Sequence, residues 1–382
     1  MNGGYKMNQE HFKRAAEFVL ERMDRSLIML DGQFPAAASR GLIYEGTGNV
    51  DWTPGFWTGM LWLAYELTED EKYRNAAEAQ LASFKRRVEE QIETNTHDLG
   101  FLYSLSAVAA YRLTGSEEAK AMALQAADLL TERYFPKAGI IQAWGDLNDP
   151  EECGRMIMDC LMNLPLLYWA TEVTGDARYA DMARSHAKQS AAYLVRPDHT
   201  SYHTYYMDVL TGGPKYGNTH QGYSDDSCWA RGQAWGMYGF LLSYLYTKEA
   251  SFIEVSKVLS DYFLSRLPGD GIVYWDLIFT EESGQEKDSS ASAIAVCGLL
   301  ELVKQLSPED PDRERYEAAA LAMMESLSLK YTTEDHPESN GILKHAVYNK
   351  PRGWGIDECN LWGDYFYLEA LVRLLKDWRP YW

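Results

Sequence analysis

Apolar residues recur at spacings of three and four along most of this chain, the pattern of helices with a buried face. Met60, Leu63, Ala64 and Leu67 follow it, as do Phe101, Leu105, Val108 and Ala109, and then Leu161, Leu164, Leu167 and Tyr168. Several of these runs close alike, at Leu67-Thr68-Glu69-Asp70, Leu113-Thr114-Gly115-Ser116 and Val173-Thr174-Gly175-Asp176. Small, polar or glycine residues there stop one helix and cap the next. The stretches that follow, from Glu71 to Arg87, Glu117 to Arg133 and Ala177 to Leu194, are more polar on one face, as is Arg313 to Ser328. Apolar, aromatic-rich helices therefore alternate with amphipathic ones, so the first kind is expected inside and the second outside.

Six inner helices open on clusters of aromatic, acidic or basic residues. The openings are Asp51-Trp52-Thr53-Pro54-Gly55-Phe56-Trp57, Asp98-Leu99-Gly100-Phe101-Leu102-Tyr103 and Asp159-Cys160-Leu161-Met162-Asn163, followed by Trp229-Ala230-Arg231-Gly232-Gln233-Ala234-Trp235, Asp288-Ser289-Ser290-Ala291-Ser292 and Trp362-Gly363-Asp364-Tyr365-Phe366-Tyr367. They lie about 45 to 75 residues apart, room for two helices and their loops. The expected fold is all-α, an (α/α)6 barrel or toroid of six helix hairpins. An open solenoid would want regular repeat lengths and polar end caps, and neither is evident. Strand character interrupts the helices at Tyr202 to Met207, before the turn Gly212-Gly213-Pro214, and at Gly271 to Trp275. A long irregular segment, Gly139 to Met158, joins the second repeat to the third, and loops of that length are often functional.

No linker or low-complexity tract divides the chain, so residues 1–382 are expected to form one domain. The net charge of −20 argues against nucleic-acid binding or adsorption to an anionic membrane. No apolar run approaches the ~18 residues of a membrane helix, and Met1 to Lys6 lacks the apolar stretch of a secretory leader. The five cysteines are scattered without a CxxC pair, which supports neither a zinc knuckle nor a disulfide framework and fits a reducing cytoplasm. His97, His203 and His220 lack tight metal-ligand spacing, which makes a metal site the weaker reading, and no phosphate-cradling glycine loop is present.

Among the carboxylates, Asp159 stands in the otherwise apolar run from Met156 to Met162, where burial would raise its pKa and let it donate a proton near neutral pH. Asp98 occupies the parallel position one repeat earlier. Either could instead be a plain helix N-cap. If both point into one cavity, they form the carboxylate pair that glycosyl chemistry uses. Trp52, Trp57, Trp144, Trp229 and Trp235 lie near helix starts or in loops, where they could stack on sugar faces or simply pack in the core. Arg231, between two of them, could bind a carboxylate or serve a structural ion pair. His203, His220 and Gln221 lie in loop-like segments with tyrosines, suited to bonding sugar hydroxyls.

Taken together these segments resemble the unsaturated glucuronyl hydrolases, glycoside hydrolase family 88, over nearly the whole chain. The most specific matches are the Asp51–Trp57 and His97–Ser104 runs, Ile140-Ile141-Gln142-Ala143-Trp144-Gly145, Tyr202-His203-Thr204, Thr219-His220-Gln221-Gly222, the Arg231–Gly236 and Asp288–Ala293 runs, and Trp362-Gly363-Asp364-Tyr365. The resemblance implies an (α/α)6 barrel and hydration of the C4=C5 double bond that polysaccharide lyases leave in a non-reducing-end uronate. It makes Asp159 the general acid/base and Asp98 its essential partner. His203, Gln221, Arg231 and Trp235 match substrate-contacting positions, with Arg231 toward the substrate carboxylate, and Trp52, Trp144 and Tyr348 match the pocket lining. The implied partner is an unsaturated uronate-containing oligosaccharide of the glycosaminoglycan type, with no cofactor. Members that prefer sulfated substrates carry serines and a lysine in the loop before Trp-Gly-Asp; here Lys344 to Arg352 holds no serine, although Lys350 and Arg352 could meet an anion. The rival readings are an unsaturated rhamnogalacturonyl hydrolase, an inverting glycosidase on the same toroid, and a sugar-binding helical scaffold that would not need Asp159.

Overall fold

The computed structural model describes the backbone of residues 2–382 and the side chains of residues 9–382. The Met1–Lys6 stretch, read above as lacking the apolar run of a leader, lies outside the described side chains. Among the described residues twelve long helices run α1 (Asn2–Leu30), α2 (Pro54–Thr68), α3 (Glu71–Glu89), α4 (99–114), α5 (Glu117–Thr131) and α6 (Pro165–Thr174), then α7 (Ala177–Tyr193), α8 (Ala230–Thr247), α9 (Ala250–Ser265), α10 (Ser289–Gln305), α11 (Arg313–Lys330) and α12 (Leu361–Leu375). α4 contains a π turn over Ser104–Val108. The even-numbered helices pack in a closed ring, α2 on α4, α4 on α6, α6 on α8, α8 on α10, α10 on α12 and α12 back on α2. Each carries one outer partner, and α1 covers α12. This is the expected toroid of six hairpins.

The sequence pattern explains which helix goes where. α8 is buried without a break from Ala230 to Ser243, as an inner helix touched on all sides must be. α3 buries only Tyr73, Ala77, Gln80, Phe84, Arg87 and Val88, the single stripe of an outer helix. Outer helices start on ordinary caps: Asp70 accepts from the Lys72 N–H, Ser116 from Ala119 and Asp176 from Arg178. Neighbouring inner helices approach so closely that some positions allow no side chain. A Cβ on Gly55 of α2 would lie 2.2 Å from the Phe101 carbonyl oxygen and 2.7 Å from the Leu102 Cα of α4. At the other end of the ring a buried ion network, Arg373 with Glu301 and Glu369, holds α10 and α12 together, and Trp382 donates to Glu369 while its ring stacks on Phe366.

Thr204–Met207 lies within the expected strand stretch and pairs with Pro214–Asn218 in a hairpin, and Arg155–Ile157, at the end of the long 139–158 segment, adds a third antiparallel strand. A second hairpin pairs Ala346–Asn349 with Trp354–Glu358. The Gly271–Trp275 stretch departs from expectation: it stays extended but makes only the isolated bridge of Tyr274 with Lys287. The backbone of Val273 is taken by the start of α10, donating to the Ser292 hydroxyl and accepting from the Asp288 N–H, while Trp275 donates to the Glu286 carbonyl and accepts from the Ala230 N–H. Among the described residues no helix is long and apolar enough to cross a membrane.

Gly55→Ala tests this close approach. It should destabilise the fold by about 1–3 kcal/mol, the usual cost of overpacking, read as a lower denaturant midpoint. An unchanged midpoint would mean that α2 and α4 can part without cost.

Candidate active site

Asp98 and Asp159 sit at the starts of neighbouring inner units, and neither does what a helix-capping aspartate does. Asp98 holds the N-cap position of α4 but makes no side-chain cap bond. Its carboxylate accepts from the Thr96 hydroxyl at 2.7 Å and lies 3.3 Å from His97 Nε2. Asp159 lies in the first turn of the short 3-10 helix Met158–Met162 that leads into α6, again without a cap bond. Its Oδ1 is buried and has no hydrogen-bond partner in the protein. Asp288, at the equivalent place on α10, is by contrast a true cap, accepting from the Ser290 and Ala291 N–H groups and the Ser290 hydroxyl.

Burial is the main force on both uncapped groups. Desolvation raises Asp159 to about 7, helped by the charge of Asp98 and opposed by Arg231. Desolvation also lifts Asp98 to about 6, against the Thr96 hydrogen bond and the charges of Arg87 and Arg133. A raised pKa does not by itself mark a catalyst. Asp364 is likewise raised to about 7 by burial, yet its oxygens are occupied by the Leu343 and Ile342 N–H groups and the Tyr44 hydroxyl. Asp159 differs because its buried oxygen is unclaimed.

Around the pair, hydrogen-bond donors are fixed by their partners. His203 Nδ1 accepts from the backbone N–H of His220 at 3.0 Å and of Gln221 at 3.2 Å. The imidazole proton is therefore on Nε2, which is buried and unpartnered. Burial and nearby cations hold this ring neutral, well below the ordinary histidine pKa. Gln221 gives its Oε1 to Arg231 at 2.6 Å, which leaves its amide N–H groups outward as donors. The Trp52 indole N–H donates to the Tyr348 hydroxyl at 3.0 Å, and Trp52 leans on Trp362 at 4.9 Å. Trp144, His220, Gln221 and Tyr348 line an open cleft of about 290 Å3 with Glu152, Arg155, Asn349, Arg352 and Trp354. That volume is at the small end of ligand pockets, about 300–1,000 Å3. Neither aspartate lines this open part; His203 and Gln221 connect the two regions.

Two expected substrate contacts take different places. The Arg231 guanidinium is 1% exposed and sandwiched between Trp229 and Trp362 at 4.4 and 4.8 Å. Its Nη atoms are engaged by Asp288, the Val347 and Tyr348 carbonyls and Gln221. No Nη donor faces open space, so it acts on the site through Gln221 and through its charge on Asp159. Trp235 is fully buried against Phe101 and Phe366 at 5.2 and 5.4 Å, with no open face for a sugar. It is floor, because α8 is an inner helix.

Sequence reasoning missed three contributors. Asp51, half-buried and raised by burial and by Asp98, adds a third carboxylate to the same field; its place at the first repeat opening, matching Asp98, was the available signal. Arg155 lies 5.0 Å over the Trp144 ring and 5.3 Å over Tyr206, and holds the cleft wall; only the aromatic alternation of the 202–206 strand hinted at it. Asn163 bonds across the two carboxylate-bearing turns, and nothing in its local sequence announces that.

The profile of Glycosyl Hydrolase Family 88 matches residues 32–372. The unsaturated chondroitin disaccharide hydrolase of Streptococcus pyogenes serotype M1 is 47% identical over 376 residues, covering 98% of this chain and 94% of that protein. The crystal structure of unsaturated glucuronyl hydrolase from Streptococcus agalactiae superposes with a TM-score of 0.96 at 46% identity, covering 98% of this chain and 94% of that one. An Asp-to-Asn mutant of that S. agalactiae enzyme, complexed with dGlcA-GalNAc6S, superposes with a TM-score of 0.88 at 43% identity, covering 98% of this chain and 94% of that one.

The buried Arg231–Asp288 pair gives a stability test. Arg231→Met leaves the buried Asp288 without its counter-ion, a change that typically costs about 3–5 kcal/mol. Chemical denaturation should show it, and a loss below about 1 kcal/mol, the range of exposed pairs, would mean the guanidinium is not the buried counter-ion described.

Proposed function

The chain belongs to glycosyl hydrolase family 88, and from that premise we propose that its whole length, residues 1–382, forms one catalytic domain that hydrates the C4=C5 bond of a non-reducing-end unsaturated glucuronyl residue. The substrates are lyase-generated, glycosaminoglycan-type disaccharides. The observation that carries the mechanism is the buried, unpartnered Oδ1 of Asp159, in a carboxyl group held near neutrality. The relatives are named for chondroitin disaccharide and glucuronyl substrates, which favours this reading over rhamnogalacturonan fragments. Five free thiols suit a reducing cytoplasm.

In the reaction, protonated Asp159 gives its proton to C4, and the ring oxygen shares the positive charge that develops at C5. The Asp159 carboxylate then takes a proton from water as the water oxygen bonds to C5. The resulting hemiketal opens to a C5 ketone, C1 is left as a hemiacetal, and its collapse to the aldehyde releases the neighbouring sugar with the hydroxyl proton. Atoms balance as substrate plus one water, and Asp159 ends protonated. One group can serve as acid and then base because its pKa lies near working pH. Asp98 keeps Asp159 protonated by its charge and orients substrate. The His203 Nε2–H and the Gln221 amide donate to the uronate, while Trp144, Trp52 and Tyr348 wall the sugar rings. The substrate carboxylate meets neutral donors rather than a free cation, and a protonated Asp159 spares it one repulsion.

Three outcomes test this. Unsaturated chondroitin, hyaluronan and heparin disaccharides should lose their ultraviolet absorbance on incubation with the enzyme, since hydration erases the conjugated double bond; release of the saturated sugar with the absorbance intact would contradict it. Asp159→Asn should lower kcat by about 100- to 10,000-fold, the range of general acid–base groups, and Asp98→Asn should also impair turnover severely; near-normal kcat in the first removes the assignment. The rate should be bell-shaped in pH. It should fall above about 7 as Asp159 loses its proton, and below about 6 as Asp98 gains one. Both limbs belong to the coupled pair, and a rate still rising at pH 8 contradicts the scheme.

A further inference from the structure

The capping bond that Asp98 does not make is made by a residue of the next repeat. In α4, Asp98 is the N-cap, and the Phe101 N–H is the third-position donor that an N-cap aspartate ordinarily satisfies with its own carboxylate. Here the Phe101 N–H donates at 2.7 Å to Oδ1 of Asn163. Asn163 is fully buried, and its Nδ2 donates in the other direction, to the backbone carbonyl of Asp159 at 3.3 Å. Its own N–H is spent within the 3-10 turn, on the Cys160 carbonyl. One amide thus spans the backbone of both carboxylate-bearing turns. Gly100 makes the approach possible: a Cβ there would lie 2.3 Å from the Asn163 Cα and 2.5 Å from its carbonyl oxygen.

We propose that Asn163, seated against Gly100, is a positioning residue that caps α4 in place of Asp98, and so releases the Asp98 carboxyl toward Asp159 and fixes the separation of the two groups. This rests on the reading of Asp98 and Asp159 as the reacting pair. Without the Asn163 amide, the Phe101 N–H would be a buried orphan, and the acceptor that its N-cap position offers is the Asp98 carboxylate. Recapping would turn Asp98 into an ordinary helix cap. Its carboxylate would gain a backbone donor and lose its place beside Asp159. Both changes act in one direction: the Asp98 titration falls through the new hydrogen bond, and that of Asp159 falls as the neighbouring charge withdraws.

The test is Asn163→Ala, read by kinetics and by a carboxyl-13C NMR titration of Asp98, assigned by its absence in Asp98→Asn. The expected result is a kcat lower by about 100-fold, the low end for an acid–base group, with KM changed by less than about threefold and both limbs of the pH profile moved to lower pH. The Asp98 titration should move down with them. The double variant Asn163→Ala, Asp98→Asn should be no slower than Asp98→Asn alone, since residues acting through one another are non-additive. Asn163→Asp covers the case of a variant that folds poorly: its carboxylate still accepts from Phe101, so it should keep more turnover than the alanine variant, while its added charge moves the alkaline limb to higher pH. An unmoved Asp98 titration, or full additivity with Asp98→Asn, overturns the clasp and leaves Asn163 a packing residue. A lowered Asp98 titration together with undiminished turnover in Asp98→Asn upholds the clasp and overturns the catalytic reading instead.

Discussion

Two carboxyl groups desolvated in one aromatic-walled space cannot both hold a full charge at low cost, and this repulsion organises the site. Removing Asp159 from water already disfavours its anion, and the charge of Asp98 adds to the effect. Arg231 works against both from behind, near enough to lower Asp159 but with its Nη donors committed to the protein. The balance leaves Asp159 well above the ordinary aspartate range, at about 7. A single residue is thereby equipped to give a proton and take one back within a turnover.

The toroid is what brings such groups together without exposing them. Closing six hairpins into a ring points the starts of the inner helices at one space, so residues as far apart in sequence as Trp52 and Tyr348 share a hydrogen bond. The close approaches at Gly55 and Gly100 draw adjacent inner units within backbone contact. The floor of Phe101, Trp235, Phe366 and Trp382 is buried and packed ring against ring, which keeps the local dielectric low and the carboxyl pKa values raised. Packing and acid strength are in this sense one property. Neutral donors do the binding: His203 and Gln221 are oriented by partners that consume their other hydrogen-bonding atoms.

Much of this was legible in the sequence. Helical periodicity and the six openings located the ring and its inner helices, and the apolar context of Asp159 agrees with the burial that raises its pKa. Two residues expected at the substrate are closed off by the protein. Arg231 and Trp235 share the α8 opening with apolar neighbours, and a one-dimensional pattern does not say whether an arginine at a helix start faces a cavity or is sealed between Trp229 and Trp362. Unbroken burial of α8 from Ala230 to Ser243 decided that, and it is visible only once the ring closes. The Gly271–Trp275 stretch has strand composition but no partner strand, since pairing depends on a neighbour that composition does not reveal. Asn163 was invisible for a related reason: its two bonds join units about sixty residues apart, a distance that only the repeat architecture removes.

The central claim is that burial and the neighbouring Asp98 charge, rather than any local sequence feature, set the acid strength of Asp159. A carboxyl-13C NMR titration of Asp159, assigned by the signal lost in Asp159→Asn, measures that directly. The account predicts an apparent pKa near 7 that falls when Asp98 is replaced by asparagine. A value near 4, the unperturbed aspartate range, or one indifferent to Asp98, would contradict it.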